Sequence, residues 1–111
     1  MTLNADLLRG YTDSILLAQL AGGDSYGYRI NKSVCELSDG QLELKEATLY
    51  TAFRRLESAG YIRSYWGNEN AGARRRYYSL TDEGRAHLLE EIQTWQETKK
   101  LISLLLGGDN I

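Results

Sequence analysis

Arginine, short hydroxyls and one phenol gather on one side of the stretch EATLYTAFRRLESAGYI, residues 46 to 62. Thr48, Tyr50, Thr51, Arg54 and Arg55 lie away from Leu49, Phe53 and Leu56, which recur at i, i+4 and i+7 and therefore share one face of a helix. A guanidinium pairs through two parallel hydrogen bonds with phosphate oxygens or with the edge of guanine, and hydroxyls can join either contact. The chemistry on offer is thus recognition of a DNA groove. Gly60 supplies the left-handed exit expected where such a helix ends. A solvated surface helix carries the same residue types, so the stretch alone leaves both readings open.

After Gly60 the period changes to two. Ile62, Ser64 and Trp66 alternate with Tyr61, Arg63 and Tyr65, a polar stretch from Gly67 to Gly72 interrupts, and Arg74, Arg75, Arg76, Tyr77, Tyr78, Ser79 and Leu80 read as a returning strand. Helix and then basic hairpin is the order of a winged helix-turn-helix. There the helix enters the major groove and the wing lies along the backbone or minor groove, where arginine is favoured. A net charge of -2 speaks against a nucleic-acid partner. Its distribution speaks for one: residues 45 to 80 hold seven basic side chains, Lys45 first among them, and three acidic ones, whereas the rest of the chain holds six basic and twelve acidic.

The other elements must position this surface. Leu8, Tyr11, Ile15, Leu16 and Leu20 predict a helix over about residues 5 to 21, apolar on more than one side and ended by Gly22 and Gly23. Ser25 is expected to cap a second helix, residues 25 to 38, that buries Tyr26, Ile30 and Val34 and exposes Arg29 and Lys32. Thr81 caps the last helix, with Asp82 and Glu83 in its first turn. Leu88, Ile92, Trp95, Lys99, Ile102 and Leu106 then follow at spacings of four and three, a heptad seam that a chain of 111 residues has little left to cover. A homodimer is the simplest remedy. The fold class expected is mainly α with a small β-hairpin wing: a winged-helix DNA-binding domain over residues 1 to 80 and a dimerisation helix over 81 to 111, one continuous structural unit.

Catalytic chemistry finds little to build on. His87, the single histidine, falls on the charged flank of the last helix beside Arg85, Glu90 and Glu91, and is expected to be solvated. One Cys and one His cannot assemble a zinc site of the usual type, and Cys35, in a helical pattern with Ile30, Val34 and Leu37, reads as a small buried thiol. Glu90 and Glu91 are adjacent and point apart, and the glycines at 67 and 72 join two strands, so neither paired carboxylates nor a phosphate loop is supported. No cofactor or metal is expected. With neither a signal peptide nor a membrane span in the pattern, a cytoplasmic protein without membrane contact is expected.

Three separated blocks, LLRGYTDSILLAQLAGGDSYGYRI, EATLYTAFRRLESAGYI and SYWGNENAGARRRYYSLTDEG, resemble in order and spacing the PadR family of bacterial winged-helix transcriptional regulators. The resemblance runs from about Leu7 to about Leu106. It is greatest to the short subfamily with one C-terminal helix, which includes multidrug-responsive repressors. What it implies is a homodimer on double-stranded operator DNA, with Tyr28 and Arg29 at the phosphate backbone. It also implies a small planar aromatic effector at the dimer centre, stacked on Trp95 and lined by Ile92, Lys99, Tyr11 and Ser14. Lys99 would favour anionic or neutral compounds. On the residues alone, Trp95 filling the interface and Lys99 snorkelling to water or fixing register is the favoured reading, and the resemblance brings the two level. A winged-helix regulator without a ligand and a winged-helix protein-interaction module are the alternatives, the second disfavoured by three consecutive arginines.

Overall fold

The computed structural model describes residues 5–68 and 74–107, with side chains from Leu8 onward. The tip of the hairpin expected around Gly72 lies outside the described residues. A 3-10 helix, Ala5–Tyr11, leads into α1, Thr12–Ala21. Then come β1, Ser25–Tyr26; α2, Gly27–Leu37; α3, Glu46–Ser58; β2, Ile62–Trp66; β3, Arg76–Leu80; and α4, Asp82–Leu105. The fold is mainly helical with a small antiparallel sheet in the order β1-β3-β2, as the sequence predicts apart from β1.

Leu16, Leu17 and Leu20 of α1, Ile30 and Val34 of α2, and Leu49, Phe53 and Leu56 of α3 meet in one core, closed by Ile62, Tyr78 and Leu88. At its centre the Phe53 and Tyr78 rings stack with centroids 4.0 Å apart, so α3 is seated directly on β3. Between α2 and α3, Asn31 fixes the connecting turn: its amide donates to the Leu44 carbonyl at 2.7 Å and accepts from the Leu44 N–H at 3.0 Å. The Ser38 hydroxyl accepts the Leu42 N–H at 2.9 Å. These bonds satisfy the backbone where Leu42 and Leu44 dip into the core.

Several boundaries depart from the sequence reading. The end of α3 does not: it stops at Ser58, and Gly60 makes the expected left-handed exit at φ 83° while the Tyr61 and Gly60 N–H groups fold back onto the Leu56 and Glu57 carbonyls. Ser25 is not a helix cap. Its backbone is buried in β1, paired with Tyr78, and α2 starts at Gly27 without a side-chain cap. The absence of a side chain at Gly27 makes room for Tyr50, whose hydroxyl would lie 2.6 Å from a Cβ there. The expected first helix is divided, its first turns being 3-10, and the returning strand starts at Arg76, two residues late. Leu37 is exposed and Cys35 only half-buried, so the thiol is not a core residue.

Thr81 does cap α4, accepting the Gly84 N–H at 3.0 Å while donating to the Gly60 carbonyl at 2.7 Å. That pair of bonds joins the turn after α3 to the start of α4. Leu88 is buried, but from Leu89 onward the large apolar residues of α4 are exposed.

Candidate nucleic-acid interface

The recognition helix presents what its sequence promised, with two exceptions. Thr48, Thr51 and Arg54 are exposed, as is Lys45 at its entrance. Arg54 donates to the Thr51 hydroxyl at 3.3 Å, a local contact that leaves most of the fork available. Arg55 points elsewhere. Its guanidinium grips the Asp13 carboxylate of α1 through two hydrogen bonds, at 3.1 and 2.5 Å, which raise its pKa further despite the opposing cost of burial. It ties α3 to α1. Tyr50 is the second exception, since its hydroxyl lies over Gly27 and its ring meets Phe53 edge-on at 5.7 Å. It braces α2 against α3 with one flank in solvent.

At the start of α2, Tyr28 is exposed. Arg29 is held in place: Nε donates to the Ser25 hydroxyl at 2.9 Å, Nη2 to the Asp24 carbonyl at 2.7 Å, and the guanidinium lies over the Tyr26 ring at 4.9 Å. Asp24 in turn accepts the Tyr65 hydroxyl at 2.5 Å, and that bond raises the phenol's pKa.

The three wing arginines do not act as one block. Because strand side chains alternate, Arg75 stands on the outer face over Tyr26, at 4.6 Å, together with Arg29. Arg74 and Arg76 instead lie against the ring of the exposed Trp66, at 5.5 and 5.3 Å. Arg76 also donates to the Ser64 hydroxyl at 2.7 Å, and Ser64 donates through its own N–H and hydroxyl to Glu57 of α3. Glu57 and Trp66 are participants that residue type alone did not single out; for Trp66 the alternation of the strand was the available signal.

The proposed effector residues divide as well. Tyr11, Ser14, Ile92 and Trp95 line one open apolar concavity of about 320 Å³ between α1 and α4, completed by Leu8, Ile15, Ala18, Leu88 and Glu91. The Tyr11 and Trp95 rings meet edge-to-face at 5.5 Å. Lys99 lies outside it, one turn further along with Gln96, Lys100 and Ser103, so the charge at the concavity is the carboxylate of Glu91. Glu91 accepts the Ser14 hydroxyl at 3.1 Å and lies 3.5 Å from the His87 ring nitrogen. His87 is not a free surface group, its ring being stacked on Tyr61 at 4.2 Å. Among the described residues no cluster of His, Cys, Asp and Glu could hold a metal ion, and no helix is long and apolar enough to cross a membrane.

The model of the PadR-like family of transcriptional regulators matches residues 16–90. A transcriptional regulator of Clostridium thermocellum is 45% identical, with 92% of this chain and 96% of that one covered at a TM-score of 0.84. A PadR family transcription regulator of Clostridium difficile is 41% identical, with 87% and 99% covered and a TM-score of 0.77. An uncharacterized protein of Lysinibacillus sphaericus shares 38% identity over 106 residues, 96% of this chain and 97% of its own. PadR regulators bind DNA and typically dimerise. The recognition helix seated on a basic hairpin, and the family match that spans both, make this chain a member of the PadR-like family of transcriptional regulators.

Proposed function

We propose that the chain is a cytoplasmic, homodimeric repressor that reads its operator through Thr48, Thr51 and Arg54 and releases it when a planar aromatic compound enters the concavity beside Trp95. The observation that supports effector control is the pairing of Trp95 with Tyr11 in an apolar, open recess where the uncovered stripe of α4 begins. Glu91 on its wall makes positively charged or neutral aromatics the fitting class, the opposite of what Lys99 suggested. Ligand releases DNA only by preferring a dimer geometry in which the two recognition helices no longer match the half-sites.

The test combines two titrations. Duplex DNA from the protein's own promoter region should be bound as a dimer, with affinity falling steeply as salt rises because arginine contacts release counterions. A planar cationic dye should bind, weaken DNA binding, and have its own affinity lowered by saturating operator by the same factor. Trp95→Ala should abolish the dye response and retain DNA binding. If that variant instead dissociates at micromolar concentration, Trp95 is an interface core residue and the effector reading falls. Absence of DNA binding at low salt would sink the regulator reading itself.

A further inference from the structure

We infer that Trp66 is a DNA-contacting residue of the wing, its indole covering the sugar-phosphate backbone beside the recognition helix while Arg74 and Arg76 hold the flanking phosphates. The inference rests on the DNA-binding function and adds to it a residue outside the arginine and hydroxyl set. Trp66 is 51% exposed on a hairpin that has left the core behind, a costly place for the largest apolar side chain. What lies against it is charge: the Arg74 guanidinium at 5.5 Å from the ring centroid and that of Arg76 at 5.3 Å. An indole with two cations against it is a poor surface for apolar protein partners. It matches a polyanion whose phosphates alternate with apolar sugar faces.

Strand register gives its direction. Trp66 pairs with Arg76, and one step inward on the same face Ser64 pairs with Tyr78, whose ring stacks on Phe53 of α3. Trp66 and Arg76 are therefore the next pair outward on the side of the sheet that α3 occupies. Arg54, adjacent to Phe53, is exposed on that helix. The chain of bonds from Arg76 to Ser64 and from Ser64 to Glu57 fixes the wing to the helix, so indole and recognition residues present one rigid surface. Arg75, on the outer face over Tyr26, belongs to a different surface.

The protein labelled with 5-fluorotryptophan carries two fluorine signals, one from Trp66 and one from Trp95, assigned by Trp66→Phe. On addition of promoter duplex, the Trp66 signal should shift and lose its solvent isotope effect while the Trp95 signal stays near its free position. Trp66→Ala should weaken DNA binding about tenfold, the scale of one covered aromatic contact, with the salt slope unchanged, and Trp66→Phe should restore most of the affinity. Arg74→Ala should instead lower the salt slope by about one. An unshifted, solvent-exposed Trp66 signal in a saturated complex overturns the assignment, as does Trp66→Ala binding like the parent. Weakened binding by Trp66→Ala without protection of the indole also overturns it, leaving Trp66 a support for the arginines. Absence of complex with the unsubstituted protein would overturn the DNA-binding reading and this assignment together, whereas a complex that ignores Trp66 overturns this one alone.

Discussion

The two halves of α4 stand in opposite relations to the rest of the chain. Its first turns are anchored along one side: Thr81 caps Gly84 and holds the Gly60 carbonyl, Gly84 abuts the Tyr61 backbone, and Leu88 is buried against the core. Beyond Leu89 the same helix carries Ile92, Trp95, Leu101, Ile102, Leu104, Leu105 and Leu106, all exposed. One continuous helix thus passes from a surface the chain completes by itself to one it does not. The recognition unit depends on local chemistry and folds around its own core, whereas the distal stripe has its meaning only with a second surface, which we propose is another copy of the chain.

The largest effect should come from the anchored half. A Cβ on Gly84 would lie 2.0 Å from the Tyr61 carbonyl oxygen and 2.8 Å from Leu80 Cδ1, and the first of these is backbone that cannot swing aside. Gly84→Ala should therefore cost about 3 kcal/mol of stability, a fall in melting temperature on the order of 10 °C, whatever the protein concentration. A melting curve within a degree or two of the parent would show that α4 shifts freely and that the two halves are not so different.

Ile102→Glu probes the other half. A carboxylate placed on the proposed seam, and met twice in a symmetric dimer, should raise the dimer dissociation constant by at least about a hundredfold, roughly 3 kcal/mol. The isolated chain should keep its helical content. Sedimentation across a range of concentrations reads both. A variant that remains dimeric would place the interface elsewhere on α4 or on another face.

What the sequence disclosed follows the same division. Periodicity marked the core-facing residues of α3 and the Thr81 cap because these are short-range matters of spacing and hydrogen bonding. Strand β1 escaped notice, since two residues carry no period and Ser25 looks like a helix cap until Tyr78 is brought alongside it. Arg54 and Arg55 were indistinguishable by type; only the approach of Asp13, 42 residues away in the chain, separates a solvent-facing guanidinium from a tether. Lys99 and Glu91 exchanged importance for a like reason, because which helical residue borders the concavity depends on where α1 crosses α4.

Arginines 54 and 55 offer a sharper test within the recognition unit. Arg54→Ala should weaken operator binding by about 1–3 kcal/mol and weaken random duplex less, as expected for a base-edge contact. Arg55→Ala removes an ion pair whose side chains are 54% and 36% exposed, so its cost to stability should stay below about 1 kcal/mol and operator selectivity should be retained. Competitive gel shifts on the two variants would reverse these assignments if Arg55→Ala proved the one that loses selectivity.

The smallest effect concerns alkaline pH and stays within the packed region. Burial raises the pKa of Tyr78 above its ordinary value of 10.0, with the Arg76 guanidinium pulling the other way, and the Asp24 bond raises Tyr65 as well. Below pH 10 folded and unfolded chains both keep these protons, and the phenols leave stability unaffected by pH. Above it the unfolded chain releases protons that the folded one retains, so the unfolded state binds fewer protons and stability falls as pH rises toward the folded pKa. Denaturation midpoints at pH 8 and pH 11 should therefore differ by more than in Tyr78→Phe, whose ring can keep the stack on Phe53 without a titrating hydroxyl. The difference should be independent of protein concentration, which separates it from any change at the distal stripe of α4. An equal alkaline loss in the variant would assign the sensitivity to other groups and leave the Tyr78 hydroxyl without a part in it.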